Sequence, residues 1–126
     1  MRKQYHFRQV GEDTYIWDVH RLVKLSQNLP PQQILLTDIQ ELNEPYWFPQ
    51  VAPTTQQIIE HIQLVQDADL SYPIILCASG RVMDGMHRVA QAALNNETYI
   101  QAVQFAKTPA PDFMNLDEDE LDYGDD

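Results

Sequence analysis

Asp84-Gly85-Met86-His87-Arg88 is the stretch of this chain whose residue types and spacing best fit chemistry. A helix opening at Gly85 leaves the N–H groups of its first turn without intrahelical partners, and the helix dipole adds partial positive charge there. Such an end attracts anions. Gly85 lacks a Cβ, so a phosphate oxygen can come close to the backbone, while His87 and Arg88 add side-chain donors. Asp84 works against this unless it swings aside or shares a divalent cation with the phosphate, so the sequence predicts Mg²⁺ joining Asp84 to a bound di- or triphosphate. The plainer alternative is an ordinary Asp-Gly turn followed by a solvated His-Arg pair.

The elements that must position this segment follow from the flanking pattern. Ile74 to Ala78 and Arg81 to Met83 are short apolar pieces joined at Ser79-Gly80, which predicts a tight hairpin. A helix then runs from Asp84-Gly85 to about Leu94, with Val89, Ala90, Ala93 and Leu94 as its buried side and Asn95-Asn96 as its end. Before the hairpin, Thr54 and Gln57 stand at capping-box spacing for a helix over 55–67, on which Ile58, Ile59, Ile62 and Val65 form one apolar stripe. Further upstream, Thr14 to Trp17 is β-prone and Asp18 caps a helix over 18–28, with Trp17 and Leu22 placed for a hydrophobic staple. Ile34 to Leu36 reads as a strand, followed by a turn carrying Ile39 and Leu42 towards the core. Tyr99 to Phe105 is the last strand.

The segment Arg81 to Ala90 after a buried hairpin resembles the signature of the ParB/sulfiredoxin-like superfamily, over about residues 34–105. The resemblance implies an α+β domain, a small mixed β-sheet flanked by helices, that binds a nucleotide at this helix through Gly85, Met86, His87 and Arg88. Sulfiredoxin carries a reactive cysteine where this chain has Met86, and a thioether offers no thiolate, so sulfinic-acid reduction is not expected. The partition proteins add a DNA-binding helix-turn-helix domain after their motif, where this chain has acids. The motif is most similar to that of free-serine kinases, in which Asp-Gly-x-His-Arg binds nucleotide and a glutamate after an earlier strand serves as base. Glu44 stands at the comparable place here. On that resemblance Glu44, Asp84 and His87 are the candidate catalytic residues, ATP or ADP with Mg²⁺ the cofactors, and a small hydroxyl metabolite the phosphoryl acceptor. A non-catalytic binding or regulatory module is the alternative, and a ParB-like nuclease a more distant one.

Composition bounds these readings. The net charge of −11 is concentrated in residues 112–126, which hold eight acids and no Lys or Arg, leaving about −3 over the rest. Without a basic excess, general nucleic-acid binding is disfavoured. A length of 126 residues suits one domain, expected over 1–108 with an N-terminal helical extension, followed by a disordered acidic tail over 109–126. The default role for that tail is solubilising; competition for the phosphate site and attraction of a basic partner are the alternatives. Cys77 is the single cysteine, expected in the core. Apolar runs are too short for a membrane span, so a cytoplasmic location is the expectation, and a homo-oligomer is allowed. Tyr46-Trp47-Phe48 is the densest aromatic cluster and suits a pocket wall, a lid, a partner contact or loop packing.

Overall fold

A computed structural model describes residues 3–124. The centre of the fold is β4 (Ile74–Leu76), whose side chains alternate between two covered faces and are all buried. It pairs in parallel with β6 (Tyr99–Gln104) and antiparallel with β5 (Val82–Asp84), while β3 (Gln32–Leu35) lies antiparallel on the far side of β6. The result is a mixed sheet of order β3-β6-β4-β5. On one face Ile74 and Leu76 pack with Val82, Ile100 and Ala102 beneath α3 (Met86–Leu94). On the other, Ile75 and Cys77 pack with Met83, Val103 and Phe105 against Trp17 and Leu22. The domain is therefore α+β, with the β4–β5 hairpin where its sequence pattern predicts and α3 after it, though of the expected buried side only Val89 is buried, Ala93 and Leu94 being exposed.

The first helix, α1 (Val19–Ser26), begins at Asp18, whose carboxylate accepts from the His20 N–H at 2.9 Å. Trp17 and Leu22 flank this cap in one cluster, as a hydrophobic staple requires. The helix stops two residues short of the expected 28. What precedes it is a hairpin, β1 (Tyr5–Val10) against β2 (Asp13–Asp18), the second strand of which holds the β-prone Thr14 to Trp17. Leu36 ends β3 by turning into a short 3₁₀ segment, Leu36–Asp38, and a second one follows over Gln40–Asn43. Ile39 reaches the core, but Leu42 does not, and the acid Glu41 is buried in its stead at 2 % exposure.

The acidic segment after Pro109, expected to be disordered, folds back onto the β1–β2 hairpin. Its strand β7 (Phe113–Met114) pairs antiparallel with β2 and makes the hairpin a first, three-stranded sheet of order β1-β2-β7. Asp112 accepts from the Asp18 N–H at 2.8 Å and pairs with Arg21 at 3.2 Å, so its charge anchors the chain. Leu121 is buried, and the Lys3 N–H donates to the Tyr123 carbonyl at 3.0 Å. Leu121, set among the acids, is buried, and Phe113 meets the Tyr5 ring edge-on, contacts that composition alone hides.

α2 (Thr55–Asp67) has the full capping box: the Gln57 N–H donates to Thr54 Oγ1 at 3.1 Å and the Thr54 N–H to Gln57 Oε1 at 2.9 Å. Its isoleucine stripe is not a core face, however. Val65 is buried, whereas Ile58, Ile59 and Ile62 remain 45–52 % exposed. The reason is that α2 lies against α3 rather than against the sheet, secured by Gln91, whose amide donates to the carbonyls of Val65, Gln66 and Ala68. The buried stripe of α3 is likewise Met86, Val89 and Ala92, leaving Leu94 exposed. Among the described residues no helix is long and apolar enough to cross a membrane.

Candidate functional site

Gly85 is the N-cap of α3 and takes a left-handed conformation, φ +106°. A Cβ there would lie 2.7 Å from Ile74 Cγ2 and 2.9 Å from the Arg88 guanidinium, so both the backbone angle and the surroundings require glycine. Asp84, one residue before, does not cap the helix. Its Oδ2 instead accepts from Arg88 Nη2 at 2.8 Å, while Arg88 Nη1 donates to the carbonyls of Tyr72 at 3.0 Å and Pro73 at 2.9 Å. Arg88 is thus a clamp between the helix and the entry to β4. With glycine as N-cap and Asp84 turned away, the first turn of α3 has no side-chain cap.

Asp84, Gly85, Met86, His87 and Arg88 line one cleft of about 230 Å³, together with Asp69 and Tyr72. The structure therefore brings the five motif residues together, in unequal roles. Met86 points its thioether into the core and can offer a ligand little beyond its backbone. The His87 ring stacks on Trp47 at 4.7 Å and 15°, and its Nε2 lies 2.9 Å from His61 Nδ1. Burial first, and then the neighbouring His61, lower the His87 pKa, which favours the neutral ring. Trp47 also packs on His61 at 4.6 Å, and Phe48 meets that ring edge-on. His61, to which the sequence assigns no role, is therefore a direct partner of His87; its approach depends on the α2–α3 packing, for which there is no local signal.

Glu44 is not in that cleft. Both its oxygens are taken by Arg81, at 3.0 and 2.6 Å, and this hydrogen bonding lowers its pKa against a smaller opposing effect of burial. Tyr46 stands between the two regions: burial raises the pKa of its phenol, and the charges of Glu41 and Asp84 both act on it in the same direction. Glu44 and Trp47 are three residues apart, so the chain between the Arg81 pair and the His87 stack spans at most about 10 Å. One loop thus connects the candidate base to the candidate phosphate end. Cys77 is buried beside Ser79, its Sγ 3.1 Å from the hydroxyl oxygen, in keeping with a core position. Among the described residues no group of three or more His, Cys, Asp or Glu is placed to hold a metal ion.

Compared with protein-family models, curated proteins and solved structures, the chain finds no match.

Proposed function

We propose that the chain binds a nucleotide, ATP or ADP, with a phosphate seated at the first turn of α3, in a domain of the ParB/sulfiredoxin-like kind. The observation that carries this reading is Asp84: by pairing with Arg88 it leaves the helix end uncapped, where a capping carboxylate would have occupied the donors a phosphate needs. His87 and the Asp84–Arg88 pair then border the anion. Mg²⁺ at Asp84 would have a single protein carboxylate, one oxygen of which is shared with Arg88, and would draw its other ligands from phosphate and water. In the phosphotransferase form of the proposal, Glu44 takes the proton of a small hydroxyl metabolite.

A specific observation favours the second reading, a binding module without catalysis. The bidentate Arg81 contact holds Glu44 in its ionised, weakly basic form, and a general base would have to leave it. Amide NMR with Mg·ATP, Mg·ADP and Mg·CTP tests the common part: the N–H signals of Met86, His87 and Arg88 should move most. If they stay fixed at millimolar nucleotide, the phosphate site is wrong. Should they move, Glu44→Gln separates the two forms, because it abolishes phosphoryl transfer but leaves binding intact only if Glu44 is the base.

A further inference from the structure

α2 and α3 leave an apolar groove between them. Ile58 and Ile62 of α2 and Leu94 of α3 line it, with Trp47 and Phe48 beside His61, around a hollow of about 290 Å³. Leu94 is 70 % exposed, and Ile58 and Ile62 stand about half open. Among the described residues of this lining none is Lys, Arg, Asp or Glu. The two acids of α2, Glu60 and Asp67, fall about 160–180° around the helix from Ile58, so they lie on its opposite side. In a chain of net charge −11 the groove is therefore a neutral apolar face. The accessible surface as a whole is 8469 Å², whereas a folded monomer of 126 residues should expose roughly 6,900 Å². The excess, about 1,500 Å², is larger than the ~800 Å² that each partner of a standard dimer buries.

We propose that a second copy of this chain covers the groove, packed about a two-fold axis with α2 against its symmetry mate. Ile58, Ile59, Ile62 and Leu94 leave on the order of 400 Å² of apolar surface open, so two copies hide about 800 Å² through these side chains alone. Trp47, Phe48 and Pro53 around them bring the contact to about 1,000 Å², the lower bound for a specific association. Charge selects the occupant. Two chains of −11 repel each other, and they meet at least cost through a face that carries no acid. A basic partner is drawn to the acid-rich segment instead and finds no counter-charge here. A uniformly apolar face is also its own complement, because no donor has to find a matching acceptor across the axis. An interface at this size limit, opposed by charge, predicts a reversible dimer that is half-formed in the micromolar range. It ends one contact away from the motif cleft, since His61 lines the groove and its Nδ1 lies 2.9 Å from His87 Nε2.

Sedimentation equilibrium of the full chain, from about 1 to 300 µM, reads the association directly. The mass should rise from one chain to two and stop there, as a closed two-fold contact requires. Raising sodium chloride from about 0.05 to 0.5 M should tighten the dimer, because salt screens the repulsion between acidic chains and spares the apolar contact. Ile58→Glu combined with Ile62→Glu should weaken it by about tenfold or more, whereas Leu25→Glu, at a similarly exposed position on α1, should leave it unchanged. A chain that stays monomeric throughout, which leaves the face to a different protein, overturns the proposal. So does a mass that keeps growing past two chains, a dimer weakened by salt, or an equal effect of the two kinds of variant. If the double variant does not fold, the concentration-dependent amide shifts of the wild type decide: they should centre on Ile58, His61, Ile62 and Leu94, and a centre elsewhere overturns the proposal.

Discussion

Asp84, the last residue of β5, and Arg88 in the first turn of α3 meet at 2.8 Å, and the pair does two things at once. It withdraws a carboxylate from the helix end, and it holds a guanidinium against the carbonyls of Tyr72 and Pro73. The same contact that opens the first turn therefore commits Arg88 to the scaffold. Loss of nucleotide binding on replacing Arg88 would be ambiguous between these roles unless stability is measured alongside.

Arg88→Ala is accordingly expected to destabilise the fold by about 2–4 kcal/mol, since it leaves Asp84 and two carbonyls unpaired in a partly buried place. Urea denaturation reads this directly. A change within experimental error would mean that the clamp contributes nothing.

Gly85→Ala should cost about 1–3 kcal/mol from the backbone angle alone, with a further loss from displacing Ile74. Thermal unfolding of this variant is the check. If it melts with wild-type stability, neither the φ of +106° nor the 2.7 Å approach has been described correctly.

His6 gives the fold a pH dependence of known sign. Burial, and then Arg8, lower its pKa from 6.5 to about 3, so between those values the unfolded chain binds a proton that the folded chain refuses. Stability is unaffected above the unfolded value and falls as pH falls below it, by up to about 1.4 kcal/mol per pH unit. Wild type should lose about 2 kcal/mol more than His6→Gln between pH 6.5 and pH 4.5. Parallel pH profiles for the two proteins would contradict a buried neutral histidine.

Removing the chain beyond Pro109 should destabilise the domain by about 3 kcal/mol or more, because β7, the Asp112 anchor and the buried Leu121 go with it. A disordered tail would give no change in the denaturant midpoint. The comparison needs only the two proteins and a urea titration.

The parts of the fold legible in sequence are those governed by local rules. The Thr54–Gln57 box, the Asp18 cap with its Trp17–Leu22 staple and the Ser79-Gly80 hairpin all depend on residues a few positions apart. What escaped is what depends on distant partners. The isoleucines of α2 have helical spacing whether or not anything covers them, and the sheet face that would cover them is occupied by α3. β1 carries His6 and Arg8, which share a cleft with Glu41 and Arg81, more than thirty residues away. At the candidate site, the motif residues share one cleft, but neither the His61–His87 contact nor the capture of Glu44 by Arg81 leaves a mark in the spacing.

The first sheet joins β2 to β7, and the Trp17 indole donates to the carbonyl of Pro109, 92 positions further along the chain, at 2.8 Å. Contacts of such separation form late, because a long loop must close before they return any stabilisation, whereas β4, β5, α3 and β6 lie within one short stretch of chain. The separation predicts an order of events: the central sheet with α3 assembles first, and the Trp17 indole is sealed only when the acidic segment arrives. The fluorescence of that tryptophan is a clock for the final closure.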